Sequence, residues 1–427
     1  MEEIVGLVID VATELARTET PLREECCVYR VPPPIRKVNE EAYTPQVISI
    51  GPFHFGNQRL QFMENQKCSY LKRFLERAVQ QSLEYWVDYI KNLNPNVRSY
   101  YANIIELSDD ELAKVILVDA GFILELFWRN FYNEWTDEDK RRIKPWLSTT
   151  MKVDLLLLEN QLPFVVLQQI FTQAFPPARQ LNEFPSLLEL TFNYFAYYNT
   201  REIGYDNVGI IEHFTDMHRI FSLPNIDRLP GRSDRGEREI HLHTATELVE
   251  AGLGLKVDDS ISCLSDLQFE KRCLKGFLKF PRFKVDGATE ILFRNLLALE
   301  QCHYPHEAYV TDYIRILELL INTGKDVDLL VKNGIMTIGL GDNNAVADLF
   351  NSLLKNITPI NFNVNHLDLY KDLKEFHDNR RNRWRASLKR DYCSTPCHFL
   401  ASFAVFVLLL FSATQIVLSI LNLRKKK

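Results

Sequence analysis

Most of the signatures that would place this chain in an enzyme class are missing from it. Gly252-Leu253-Gly254 and Gly339-Leu340-Gly341 each lack a third glycine and an acid beyond, and Gly324-Lys325 has no Walker spacing before it. A standard phosphate-cradling loop is therefore excluded. No Gly-x-Ser-x-Gly elbow and no His-Glu-x-x-His helix occurs either. Eight cysteines in 427 residues do not make a disulfide framework. Glu2 and Glu3 stand where a secretory or organelle leader needs positive charge. No internal repeat of about 20–50 residues is present, which excludes a solenoid.

Charge is unevenly spread. The net charge is −6, but residues 371–427 carry +8, so residues 1–370 carry −14. An acidic body lacks the basic surface that neutralises phosphates, and nucleic acid is not an expected partner. The basic surplus flanks an apolar stretch. From Tyr392 to Leu423 there is no Asp, Glu, Lys or Arg, and residues 399–421 form its dense part. At about 1.5 Å per residue, such a helix would cross a hydrocarbon core of about 30 Å. The expectation is a single-pass transmembrane helix over 399–421 and a basic tail over 424–427. Flanking lipid contacts would come from Arg380, Arg381, Arg383, Arg385, Lys389 and Arg390. The positive-inside rule and the missing leader favour a cytosolic body, with the plasma membrane weakly preferred. Cys393 and Cys397 read as free thiols, with palmitoylation the alternative.

The body reads as helices with recognisable ends. Ile4, Leu7, Val8, Val11 and Leu15 recur at helical spacing, so residues 1–26 are expected to hold an amphipathic helix that docks on the body. Ser108 precedes Asp109-Asp110-Glu111, and behind it Leu112, Val115, Ile116, Phe122, Ile123 and Leu126 make one stripe. Thr244 and Glu247 have capping-box spacing, and Asp342 begins a helix with Val346, Leu349, Phe350 and Leu353 inward. Period-two alternation marks short strands at Leu253/Leu255/Val257, Leu267/Phe269 and Phe283/Val285, read as a minor antiparallel element. Residues 227–239, charged and without an apolar period, read as a mobile loop.

Polar residues inside apolar stripes are the informative ones. Asp119, Asn160 and Asn295 each occupy a position where the helical period calls for an apolar side chain. A buried amide or carboxylate without a partner costs on the order of 1–3 kcal/mol, so each must find one. A structural network is the preferred reading. An enzyme alternative, hydrolase-like, would use Glu64, Asp119, Asp154 or Glu159 as acids across a cleft. Cys302, His303 and His306 offer a thiol and two imidazoles, but a zinc site needs a further ligand, and His241 and His243 would point to opposite faces of a strand. No catalytic, cofactor or metal residue is assigned.

Several blocks resemble a known family. These are Cys27-Val28-Tyr29-Arg30-Val31-Pro32, Ile48-Ser49-Ile50-Gly51-Pro52-Phe53-His54, Met63-Glu64 with Lys67, Leu117-Val118-Asp119-Ala120-Gly121-Phe122, and Asp154 to Phe164. Later blocks are Ala245-Thr246-Glu247-Leu248, Thr289 to Leu296, and Glu300-Gln301-Cys302. Together they are similar to the plant family called domain of unknown function 247, also grouped as an uncharacterised protein family. Cys397 departs from that pattern, since an aromatic residue usually follows the proline there. The resemblance implies a plant single-pass membrane protein with a mainly helical body and supplies no activity. Some members are associated with self-incompatibility in grasses, which is similar to a recognition role.

The sequence predicts a mainly α fold with a large helical body over 27–391, a minor antiparallel β element and a C-terminal transmembrane helix. The expected function is non-enzymatic interaction, signalling or recognition at a membrane, with other proteins and membrane lipids as partners and no cofactor.

Overall fold

The computed structural model describes the chain except residues 1–3, 9–10, 12–22, 79–80, 177–183, 225–228, 234–241, 260–262, 264–266, 273–274, 340, 380–383, 385–403, 406 and 419–427. Its described residues are mainly helical and divide into two compact units. One comprises 1–229, 287–311 and 353–360; the other comprises 230–286, 312–352 and 361–427.

The first unit is built on the helix Asp109–Tyr132. Ser108 accepts from the Glu111 amide and Glu111 returns to the Ser108 amide at 2.9 Å, a reciprocal cap reinforced by three acids in the first turn. Asn133, at φ 55°, ends it. The helix is apolar on almost every side, as a central helix must be. Tyr70 stacks on Phe122, and Phe127 meets Tyr194 and Phe214 with ring centroids 4.6 and 5.5 Å away. Each such fully buried side chain contributes roughly 1.5–3 kcal/mol. The helix Glu64–Arg77 lies hard against it. A Cβ on Gly121 would sit 2.4 Å from Leu71 Cδ1, so this crossing needs a residue without a side chain.

In the second unit the capping box at Thr244 and Glu247 starts Ala245–Glu250. Strands β1 (Arg232–Ser233), β2 (Leu253–Val257), β3 (Gln268–Arg272), β4 (Lys275–Phe280), β5 (Phe283–Val285), β6 (Met336–Ile338) and β7 (Phe362–Asn363) form three small sheets, ordered β1-β7, β2-β4-β3 and β5-β6. The β element is not simply antiparallel. β3 and β4 pair antiparallel, but β2 pairs parallel to β4 with Leu253 opposite Gly276, and β5 pairs parallel to β6. Alternation marks a strand's faces and leaves its direction open; β3 intervenes in sequence, so β2 reaches β4 by a crossover. Phe376 of the helix Val364–Asp378 meets Phe269 of β3 edge-on at 5.8 Å.

The transmembrane expectation is overturned. Among the described residues no helix is long and apolar enough to cross a membrane. Within 399–421 the described helical residues are 404–405 and 407–418. The single-pass membrane placement, with its cytosolic body and plasma-membrane preference, has no support here. The remainder of 399–421, the tail 424–427, the six flanking basic residues and Cys393/Cys397 lie outside the described residues. At the other end, residues 4–8 are helical, with Ile4, Leu7 and Val8 exposed. Of 227–239, residues 227–228 and 234–239 lie outside the described residues, while Arg232 pairs with Asn363 across β1-β7 and its guanidinium bonds Asp312 and Asn361.

Candidate functional site

Residues 46–51 are neither helix nor strand, yet Val47 to Gly51 are buried. Buried main chain without a ladder must be satisfied by side chains, and here it is. The Asp154 carboxylate accepts from the amides of Gln46, Val47 and Ile48 at 2.7–3.1 Å. Asn160 accepts from Ile50 at 2.7 Å and donates to the Ile48 carbonyl at 3.0 Å. Asp119 accepts from Gly51 at 2.8 Å, and Lys67 Nζ donates to the Ser49 carbonyl at 2.9 Å. Asn295 does the same elsewhere, accepting from Leu158 and donating to the Ala42 and Ile291 carbonyls. The polar interruptions of the apolar stripes are thus the partners of irregular backbone.

One edge of this lattice opens to a cavity of about 480 Å³. Ser49, Asn57, Glu64, Lys67, Lys114 and Asp119 line it, and Cys68 lies at its exposed side. Lys67 Nζ stands 2.6 Å from Asp119 Oδ1 and 2.8 Å from Glu64 Oε1. Burial disfavours the Lys67 ammonium, but Asp119 and Glu64 more than offset it and hold its pKa above the ordinary lysine value. Burial drives Asp119 the other way, up to about 6, against the pull of Lys67 and the Gly51 amide. Asp119 is thereby enclosed, whereas Glu64 is partly exposed and Lys114 is exposed. The cavity offers a neutralised acid–lysine pair at its wall and charges of both signs towards solvent.

Of the four acids proposed for an enzyme, Glu64 and Asp119 converge on the cavity. Asp154 and Glu159 do not line it. Burial raises Asp154 to about 6 despite its three amides. Glu159 accepts from Val31 N at 2.7 Å and pairs with Arg36 at 2.8 Å, and burial raises it too.

The cysteine–histidine cluster is committed elsewhere. Tyr29 Oη lies 2.9 Å from His303 Nδ1, and burial lifts Cys302 to about 12, so its thiol stays protonated. His213 was not singled out by its sequence pattern. It caps Phe214–Ser222, with Nδ1 accepting from the Asp216 amide at 3.2 Å and Nε2 facing the Cys27 carbonyl at 3.1 Å. Burial lowers its pKa to about 4, against the pull of Asp216 and the Cys27 carbonyl. Among the described residues the group able to hold a metal ion is His243, His377 and Asp378. Sequence reasoning set His243 aside because it and His241 would face opposite sides of a strand; residues 242–243 are not strand, and the partners of His243 lie far along the chain.

Gly51, at φ 72°, completes the lattice: a Cβ there would lie 2.4 Å from the Gln161 carbonyl oxygen. Residues 28–411 match the family described as plant protein of unknown function, domain of unknown function 247. The chain belongs to this family. It is 28% identical to UPF0481 protein At3g47200 of Arabidopsis thaliana over 433 residues, covering 95% of this chain and 89% of that protein. It is 19% identical over 488 residues to At3g02645, another protein of that plant under the UPF0481 heading, covering 91% of this chain and 89% of that one. No solved structure matches. The family's description carries no activity, so function has to be argued from the site.

Proposed function

We propose that this family member is a non-enzymatic recognition protein whose cavity beside Lys67 and Asp119 receives a polar segment of a protein partner. The observation that supports the reading is saturation. Asp154 is filled by main-chain amides, Glu159 by Val31 and Arg36, and Asp119 by Lys67 and Gly51. A general acid or base must reach a substrate proton; Asp154 and Glu159 do not line the cavity, and Asp119, which does, is engaged by Lys67 and Gly51. What remains open to solvent at the cavity is Glu64, Lys114 and neutral polar side chains such as Asn57, a surface suited to selecting a complementary polar partner.

A second reading, proton-transfer or hydrolytic chemistry, draws on the convergence of Glu64, Lys67 and Asp119 on the same cavity, with Asp119 held near 6. One pair of measurements separates the two. A photo-crosslinker attached to exposed Cys68 should capture a discrete partner from plant extract, and Lys114→Glu should reduce capture at least about tenfold, since a rim charge steers encounter. Ester, phosphoester, peptide and glycoside substrates should show no turnover. Turnover abolished by Glu64→Gln would replace recognition with the enzyme reading.

A further inference from the structure

We infer that the second unit carries a binding site for a divalent first-row transition ion, built from His243, His377 and Asp378. These residues come from two places in the chain. His243 immediately precedes Thr244, the cap of Ala245–Glu250, while His377 and Asp378 are the last two residues of Val364–Asp378. One ligand atom from each lies within 4.8 Å of the other two.

The distances suit a shared ion better than direct bonding. Asp378 Oδ1 is 3.4 Å from His377 Nδ1 and 3.9 Å from His243 Nε2. Those separations exceed those of strong hydrogen bonds. A tetrahedral ion with bonds of about 2.0–2.1 Å holds its ligand atoms about 3.4 Å apart, close to the first value. The tautomer of His243 is also set. Its Nδ1 lies 3.2 Å from Glu247 Oε2, so Nδ1–H donates to the carboxylate and the Nε2 lone pair is left towards Asp378. Carboxylate-oriented histidines of this kind accompany metal ligands generally. Glu247 does not depend on an ion for its position, because the same oxygen accepts from the Thr244 amide at 3.1 Å.

The two imidazoles stack with centroids 3.3 Å apart and planes 25° from parallel. On loading they fan apart, so that each lone pair aims at the ion. Access is open: the side chains of His243, His377 and Asp378 are 32%, 16% and 52% exposed. Solvent can complete the coordination. Two imidazole nitrogens and one carboxylate oxygen favour zinc, cobalt, nickel or ferrous iron over calcium and magnesium, which take oxygen donors. The ion would clip the start of one helix to the end of another within the second unit. The site is chemically separate from the Lys67–Asp119 cavity and stands or falls without it.

The test uses the full chain and cobalt(II), whose spectrum reports its ligands. One equivalent should bind with the visible d–d bands of nitrogen and oxygen coordination and without thiolate charge transfer, and zinc should displace it. His243→Ala and His377→Ala should each weaken binding by more than the 10–100-fold that loss of an outer-shell partner costs, and Glu247→Gln by about tenfold. Asp378→Asn probes the same site from an exposed position should an alanine variant fold poorly. Cobalt uptake showing thiolate bands and unchanged by these substitutions would overturn the inference, as would no uptake at micromolar metal.

Discussion

Asp154 and Asp378 are both aspartates near a helix C-terminus, and the protein uses them in opposite ways. Asp154 is buried, and three main-chain amides fill its carboxylate. Asp378 is half-exposed and has two imidazoles around it at 3.4 and 3.9 Å. The first acid has no capacity left for a ligand and the second has little else to do. A buried carboxylate whose lone pairs are all assigned to backbone is architecture, whatever its proton affinity. An exposed one with convergent, underused nitrogen neighbours is a site. Perturbed proton affinity alone would have chosen the wrong residue.

The strongest way to break that contrast is Asp154→Ala. It strips acceptors from the amides of Gln46, Val47 and Ile48, each costing about 1–3 kcal/mol when buried and unmet. The expected loss is about 3–5 kcal/mol of unfolding free energy by urea titration, and Asp154→Asn, which keeps one acceptor oxygen, should lose roughly half as much. A loss below about 1 kcal/mol would mean that water reaches residues 46–48 and that the lattice is not structural.

Gly51 tests the same lattice through its backbone. Gly51→Ala puts a Cβ 2.4 Å from the Gln161 carbonyl oxygen at φ 72°, whereas Gly56→Ala, at φ 80°, meets nothing within 4 Å. The Gly56 change should cost about 1 kcal/mol of left-handed strain, and the Gly51 change roughly 2–4 kcal/mol. Equal costs would show that the backbone at Gly51 can shift without disturbing the cavity wall.

Asp119 distinguishes a wall from a site by pH. Its folded-state pKa, near 6, lies above the 3.8 of an ordinary aspartate. The folded chain therefore holds this proton more tightly than the unfolded one. The group's stabilising contribution is full below about pH 3.8 and is lost as pH rises through about 6. The stability gap between wild type and Asp119→Asn should then shrink by on the order of 2–3 kcal/mol from pH 4 to pH 7. His213 runs the other way: its neutral form supports the fold above about pH 6.5, and that support is lost as pH falls towards 4. His213→Asn keeps a capping acceptor and should remove that acid sensitivity, read from urea midpoints. A gap that is flat with pH would place Asp119 as a fully paired anion.

The sequence made the two kinds of acid unequally visible. Asp119 and Asn295 stand out because a polar residue on an apolar helical stripe needs a reason, whereas Asn160, read the same way, lies beyond the end of its helix at Asp154. The caps at Ser108 and Thr244 were readable for the same local cause. Their partners were not, because residues 46–51 have no period of their own and their amides point wherever the fold takes them. Strand direction at β2 and the meeting of His243 with His377 depend on tertiary pairing between distant residues. The charge-free run at 399–421 misled for a related reason. Composition sets how apolar a segment is, while a span also needs one long continuous helix, and among the described residues no helix is long and apolar enough to cross a membrane.

The smallest effect is the one that sharpens the contrast most. Without added metal, His243→Ala removes a partly exposed side chain that touches Glu247, itself held by Thr244, Asp378 at 3.9 Å and the stacked ring of His377. Surface changes of this kind stay within about 0.5 kcal/mol. If His243 is a ligand, its worth should appear only when zinc is present, because binding to the folded state alone raises stability with free-ion concentration. Wild type and variant should therefore unfold at the same urea midpoint in chelator and separate as zinc is added. A deficit already present in chelator would make His243 another structural group, like Asp154, and erase the difference between the two regions.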